Sequence, residues 1–170
     1  MDLRDYIRDI ADFPKPGILF KDITPLLASG AALRWTIEHL AARYRGEVDM
    51  VLGIESRGFL IGSALAYALG VGIAIVRKPG KLPARTFSAQ YELEYGCDML
   101  EIHRDAFGEA ARVLLVDDLL ATGGTASAAM ELAGQLAGQI VECAFLIELT
   151  GLGGRQRLAP HPVYSIVQYA

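Results

Sequence analysis

The chain has 170 residues, of which 52% are hydrophobic and 21% charged, with a formal net charge of −4. That is the size and composition of an ordinary folded domain, which excludes a disordered chain, and the absence of a long Lys/Arg run argues against nucleic-acid binding. The two cysteines, Cys97 and Cys143, lie far apart with no CxxC or Cys/His spacing, which excludes a zinc ribbon or a disulfide framework; both are expected to be core thiols of a cytoplasmic protein.

Residues 1–5 carry no apolar stretch of the kind a signal peptide needs. Leu3, Tyr6, Ile7 and Ile10 are spaced as one apolar helix face, which predicts a short amphipathic helix over residues 3–10. Phe13-Pro14-Lys15-Pro16-Gly17 is irregular, because two prolines and a glycine exclude helix. Ser29 is placed to cap a helix running to about Tyr44. Met50-Val51-Leu52-Gly53-Ile54 reads as a buried strand. Residues 58–76 carry no charge and approach the length of a membrane span. Gly70 and Gly72 interrupt that run, and the residues change from helix formers to Ile73-Ala74-Ile75-Val76. A buried helix, a glycine stop and a buried strand are therefore expected, with no membrane partner. Val113-Leu114-Leu115-Val116 is the next strand, residues 142–149 another and 163–167 the last. Continuous apolar strands alternating with helices predict an α/β fold with a mainly parallel central sheet flanked by helices. In such sheets ligands bind beyond the carboxyl ends of the strands, here after Ile54, Val76, Val116 and Leu149. Between Arg77 and Glu101 the pattern lapses into a basic, breaker-rich stretch, with 91–96 read as one arm of a hairpin. A segment of that length without helix signals is expected to be a flexible lid over a site, spanning 78–96.

The most informative stretch is Val113-Leu114-Leu115-Val116-Asp117-Asp118-Leu119-Leu120-Ala121-Thr122-Gly123-Gly124-Thr125. A buried strand leads into two carboxylates, then into a loop of small and hydroxyl residues that opens a helix. Gly123 and Gly124 let a ligand approach the backbone, and free N–H groups at a helix start attract phosphate. Thr122 and Thr125 add hydroxyl donors. Asp117 and Asp118 repel phosphate but accept hydrogen bonds from sugar hydroxyls. The combination fits a sugar phosphate, with its hydroxyls at the aspartates and its phosphate at residues 121–125. Neither the P-loop lysine nor the GxGxxG turn is present. Glu55-Ser56-Arg57 also sits between a strand and a helix, and Arg57 suits phosphate oxygens. Arg77, Lys78 and Lys81 form a basic cluster, which from its pattern alone could be a solvated face. His39, His103 and His161 have no metal spacing.

Residues 116–125 resemble the phosphoribosyl pyrophosphate loop of the type I phosphoribosyltransferases, in the version found in the adenine-specific members. The resemblance extends over nearly the whole chain. Phe13-Pro14-Lys15-Pro16-Gly17-Ile18-Leu19-Phe20-Lys21-Asp22-Ile23-Thr24-Pro25 resembles the family's purine-binding segment. Gly53-Ile54-Glu55-Ser56-Arg57-Gly58-Phe59 resembles its pyrophosphate loop. Residues 77–83 and Leu93-Glu94-Tyr95-Gly96 resemble the edges of its catalytic lid, and residues 158–170 its tail.

The resemblance implies a single phosphoribosyltransferase domain over 1–170, with residues 1–28 as a purine-binding hood. It implies transfer of the 5-phosphoribosyl group from phosphoribosyl pyrophosphate to N9 of adenine, giving AMP and pyrophosphate in purine salvage. Mg²⁺ is the implied cofactor, held by Asp117 and Asp118 through water, with no direct protein ligand. Glu94 is implied as the catalytic residue at purine N7, with Glu92 its rival on the same strand face. Asp117, Asp118 and residues Ala121 to Thr125 are implied for the phosphoribosyl group, and Glu55, Ser56, Arg57, Arg77, Lys78 and Lys81 for pyrophosphate. Leu19, Phe20, Lys21 and Leu119 are implied for adenine. The family also implies a non-proline cis peptide, here Glu55–Ser56, and a homodimer. Alternatives are transfer to another base, a phosphoribosyl pyrophosphate-binding regulator without catalysis, and an unrelated nucleotide-binding domain of the same sheet type. The Thr-Gly-Gly-Thr loop, with no Lys or Arg at its centre, favours adenine over 6-oxopurines.

Overall fold

Residues 3–10 do not form the expected helix. The computed structural model describes residues 1–92 and 97–170, and in it Asp2 caps a 3-10 turn over Leu3–Tyr6. The chain then extends as β1 (Arg8–Ala11) and pairs antiparallel with β2 (Leu19–Asp22). Of the four apolar residues that suggested a helix face, only Leu3 is buried, so little burial favours helix over strand pairing. Asp12 and Gly17 take left-handed backbones at φ 57 and 87, and the Gly17 N–H donates to the Asp12 carboxylate at 2.7 Å. The segment between the two strands is irregular, as its prolines demand.

Two short signals start the next helices. Asp22 accepts from Thr24 N and Thr24 Oγ1 at 2.9 and 2.8 Å, ahead of α1 (Thr24–Ala28), which carries Pro25 in its first turn. Proline is tolerated there because its missing N–H has no partner to lose. Ser29 Oγ accepts from Ala32 N at 3.3 Å at the start of α2 (Gly30–Tyr44), the cap and helix expected. The chain divides into two compact units, Met1–Arg43 and Tyr44–Ala170; the elements so far belong to the first, apart from the last residue of α2.

The second unit is built on a five-stranded sheet. In chain order it contains β3 (Met50–Ile54), α3 (Arg57–Leu69), β4 (Gly72–Val76), β5 (Thr86–Glu92) and β6 (Cys97–His103). There follow β7 (Arg112–Leu120), α4 (Gly124–Gln135), β8 (Gln139–Leu149), α5 (Gly154–Leu158) and β9 (Val163–Tyr169). The sheet order is β4-β3-β7-β8-β9, and every pair is parallel. The uncharged run at 58–76 splits as expected. Gly70 takes φ 73 and its N–H reaches Ala66 O and Tyr67 O, which ends α3 and returns the chain into β4. No helix among the described residues is long and apolar enough to cross a membrane.

Adjacent strand residues point to opposite faces, and the two faces carry different helices. Val51 faces Gly62 of α3, while Leu52, Ile54 and Leu115 join a core with Ala129 and Leu132 of α4 and Phe145 of β8. Each such fully buried Leu or Ile contributes about 1.5–3 kcal/mol of transfer free energy. The hairpin β5–β6 pairs antiparallel from Thr86↔His103 to Glu92↔Cys97 and packs on α4.

Three expectations need correction. β7 does not stop at Val116 but runs through the aspartate pair to Leu120, because β8 continues beside it, with Asp117 opposite Phe145 and Leu119 opposite Ile147. β8 begins at Gln139, ahead of the expected 142, for the same pairing reason. Cys97 is not a core thiol: it opens β6 on an exposed side of the hairpin, whereas Cys143 is buried on β8. Burial pushes the Cys143 thiol up to about 12.

Candidate active site

Because the sheet strands are parallel, their carboxyl ends share one edge, and the segments leaving β3, β4 and β7 meet there. They enclose a cleft of about 350 Å³, lined by Glu55, Ser56 and Arg57, by Lys78, and by the continuous segment 117–126, with Tyr91, Leu100 and Phe145 completing it.

At one end of the cleft β7 turns into α4. Gly123 sits at φ 79 as the residue before the helix and has no side chain to cap it. The first N–H groups of α4 are thus open to an anion in the cleft, with the helix dipole favouring negative charge. Ala121, Thr122, Gly124 and Thr125 line the same wall.

Asp117 and Asp118 form the floor. Asp118 is 5% exposed and ion-paired to Arg57 Nε. Asp117 Oδ1 accepts from Asp118 N at 2.9 Å. Burial pushes the Asp117 carboxyl well above the usual carboxylate range, and the Asp118 charge beside it adds to the effect. Gly58 lies against Asp117: a Cβ built on it would stand 2.7 Å from Asp117 Oδ1 and 2.9 Å from Val116 O. The absence of a side chain at 58 lets α3 begin hard against β7 at Val116 and Asp117.

Cations also gather at the cleft, and each has a carboxylate. The Glu55–Ser56 peptide is cis. Glu55 receives Arg77 Nε at 3.3 Å, Lys78 N at 3.0 Å and the Lys81 ammonium. Burial opposes ionisation of Glu55, but the hydrogen bonds from Lys81, Lys78 N and Arg77 outweigh it and hold the carboxyl below its ordinary range. Arg77 also lies over the Phe59 ring at 6.0 Å. Lys78 Nζ pairs with Asp98 at 2.9 Å, and the hydrogen bond it donates to that carboxylate raises the lysine's pKa. The Tyr91 hydroxyl donates to Asp98 at 3.1 Å and also touches Thr125. The six residues expected at pyrophosphate thus divide: Glu55, Ser56, Arg57 and Lys78 line the cleft, while Arg77 and Lys81 are gathered through Glu55.

Leu119 also lines this cleft. Leu19, Phe20 and Lys21 occupy β2 of the first unit. Leu19 is exposed, Phe20 meets Phe13 edge-on at 5.1 Å, and Lys21 Nζ donates to Asp9 at 2.7 Å. Glu94, with Leu93, Tyr95 and Gly96, lies outside the described residues. His39 stacks on Trp35, and His103 Nε2 accepts from Ala84 N at 3.3 Å. Tyr91, Asp98 and Phe145 escaped the sequence reading, and Gly58 entered it only as part of the pyrophosphate-loop segment 53–59, with no role of its own. For Tyr91 and Asp98 the alternation of the hairpin held a weak signal; for Gly58 there was only its place one residue after Arg57.

The family model for the phosphoribosyl transferase domain matches residues 22–167. The chain is 58% identical over 169 residues to an adenine phosphoribosyltransferase of Roseiflexus sp., with 98% of each chain covered. The chain belongs to the adenine phosphoribosyltransferases. The fold agrees with that membership. The adenine phosphoribosyltransferase of Thermoanaerobacter pseudethanolicus superimposes with a TM-score of 0.96 at 52% identity, over 98% of both chains. The family member from Saccharomyces cerevisiae, solved with adenine and an imino-altritol bisphosphate, superimposes with a TM-score of 0.92 at 41% identity, over 96% of this chain and 95% of that one. The chain therefore has the type I phosphoribosyltransferase fold.

Proposed function

We propose that this chain catalyses transfer of the 5-phosphoribosyl group from phosphoribosyl pyrophosphate to N9 of adenine, releasing pyrophosphate and forming AMP. The observation that carries the reading is one cleft with three unlike walls: an anion-accepting helix start, a paired-aspartate floor and a cluster of cations. A substrate that carries a phosphate, ribose hydroxyls and a pyrophosphate has one group for each of them.

In the reaction the bond from the anomeric carbon to pyrophosphate breaks, and its electron pair leaves with pyrophosphate. Positive charge develops on the ribose ring, and adenine N9 closes the new bond. Residues 121–125 hold the 5′-phosphate through backbone N–H groups and the Thr122 and Thr125 hydroxyls. Asp117 and Asp118 accept from the ribose hydroxyls and fix the anomeric carbon for displacement. Arg57 and Lys78, with Arg77 and Lys81 behind them, neutralise the leaving group. Glu55 acts there as the counter-charge that gathers these cations. Leu19, Phe20, Lys21 and Leu119 are the adenine contacts. Adenine brings one N–H proton on its five-membered ring and AMP carries none on those nitrogens, so a base must take it; Glu94 at N7 is that base, for a factor of about 10²–10⁴ in rate. A lid over 78–96 excludes the water that would otherwise hydrolyse the substrate.

The donor set fits Mg²⁺ held through substrate and water. The described residues contain no cluster of three or more His, Cys, Asp or Glu suited to caging a metal, while two carboxylates stand together on the cleft floor. Asp117 and Asp118 would hold its water shell, and the ion would supply charge neutralisation at the pyrophosphate oxygens. The unpaired thiols Cys97 and Cys143 support a reducing, cytoplasmic setting. Leu60 and Tyr67, both exposed and seven residues apart on one face of α3, support a homodimer.

Product chromatography tests the reading. The purified protein, phosphoribosyl pyrophosphate and Mg²⁺ are mixed with adenine, hypoxanthine, guanine or orotate in parallel. AMP and pyrophosphate from adenine alone, lost in Glu94→Ala, are expected. Turnover of another base would overturn the adenine assignment, and binding without any product would leave a regulator.

A further inference from the structure

The loop at 121–123 needs something to hold its shape, and the support comes from a distant turn. Gly153 takes φ 73 and leads into α5. A Cβ on Gly154 would stand 2.3 Å from Ala121 O and 2.8 Å from Leu120 Cδ1. A Cβ on Gly123 would stand 2.9 Å from Gly154 O and 3.2 Å from Gly154 Cα. The loop and the turn thus meet backbone to backbone, and neither side has space for a side chain.

The turn is itself bolted down. Arg155 forks onto Glu148 of β8, Nε to Oε1 at 2.9 Å and Nη2 to Oε2 at 2.5 Å. Its Nη1 donates to Val163 O at 2.6 Å, and Ser165 of β9 donates to the same carboxylate at 2.6 Å. Glu148 is 3% exposed, and Leu158 buries the end of α5. A planar guanidinium held bidentately fixes orientation as well as distance. The five residues of α5 are therefore tied to two sheet strands, and their first residue presses on the loop.

We propose that Gly154, fixed by the Arg155–Glu148 pair, is a positioning residue for the 5′-phosphate: it sets the curvature of residues 121–123 that aims their N–H groups into the cleft. The inference rests on the functional reading above, which puts the 5′-phosphate at 121–125. It extends that reading to a segment that does not line the cleft.

A shape set by Gly154 affects one end of the substrate only. In Gly154→Ala the new methyl displaces Ala121 and its neighbours, so AMP binding should weaken at least tenfold. Pyrophosphate meets the other wall, and its Kd should stay within twofold. Glu148→Gln keeps the shape of the side chain but loosens the fork; AMP binding should weaken about threefold, again with pyrophosphate unchanged. Both ligands are titrated calorimetrically into the unsubstituted chain and both variants. Should Gly154→Ala fail to fold, Glu148→Gln carries the test alone. Equal weakening of AMP and pyrophosphate would reduce the turn to general stability and overturn the proposal. Unchanged AMP binding in a folded variant would overturn it too. If the unsubstituted chain itself binds no AMP, both the proposal and the functional reading fall, which separates the two failures.

Discussion

Gly58 offers a perturbation whose size can be worked out from the structure. A Cβ there would lie 2.7 Å from Asp117 Oδ1 and 2.9 Å from Val116 O. Unstrained contacts of carbon begin near ~3.5 Å, so in Gly58→Ala β7 must yield by roughly 0.6–0.8 Å at two oxygens, Asp117 Oδ1 and Val116 O. Overpacking of this kind costs about 1–3 kcal/mol. Alanine in place of glycine in a helix recovers about 1 kcal/mol. The net loss of about 0–2 kcal/mol corresponds to a fall in Tm of roughly 0–8 °C for a chain of this size. The effect on turnover should be larger than the effect on stability, because the displaced group is Asp117. Misplacement by about 1 Å costs roughly 10²-fold, so kcat/KM for phosphoribosyl pyrophosphate should fall about 10- to 100-fold. The assay is AMP formation at saturating adenine with phosphoribosyl pyrophosphate varied, beside a thermal melt. Activity within twofold of the unsubstituted chain, in a variant that melts normally, would show that Asp117 is not held by this contact.

Other expectations concern the charged groups. Arg57→Ala removes the cation from buried Asp118 and from the cleft; pyrophosphate affinity should drop about 10- to 100-fold, the worth of a charge-assisted hydrogen bond, and an unchanged Kd would take Arg57 out of that site. Asp117→Asn should lower kcat/KM and yet raise Tm at pH 7. The raised pKa means that the folded state loses stability as pH climbs through the unfolded value of about 3.9, so the gain should vanish at pH 3; a lower Tm at pH 7 would contradict this. Glu148 has the opposite sign: hydrogen bonds from Arg155 hold its pKa down, so its contribution is full above the unfolded value and fades as pH falls through the folded one. With the Arg155 side chain 42% exposed, Arg155→Ala should cost roughly 1–3 kcal/mol at pH 7. The Tm gap should narrow on acidification, and a gap independent of pH would refute the assignment.

The parts legible in the sequence were those fixed by local pattern. Buried parallel strands, the stop at Gly70 and the cap at Ser29 need only neighbouring residues, and the segment 116–125 carries its chemistry in its own order. What escaped depends on partners distant in the chain. Ile10 belongs to a strand only because β2 returns beside it. Asp117 and Asp118 remain in a strand because β8 extends past them, although local hydrophobicity falls there. The pairing of Lys78 with Asp98 and the pressure of Gly154 on Ala121 join segments that no periodicity connects.

The internal pairing of the cationic wall also bears on turnover. Arg57 is matched by Asp118, Lys78 by Asp98, and Arg77 and Lys81 by Glu55. On the proposed assignment, an incoming pyrophosphate group does not meet bare positive charge but trades places with carboxylates already in position. On that assignment the loss of each internal ion pair offsets part of the attraction for the substrate, and the same carboxylates compete with the departing product. On the same assignment, an unopposed cationic pocket would hold pyrophosphate longer than this internally paired one.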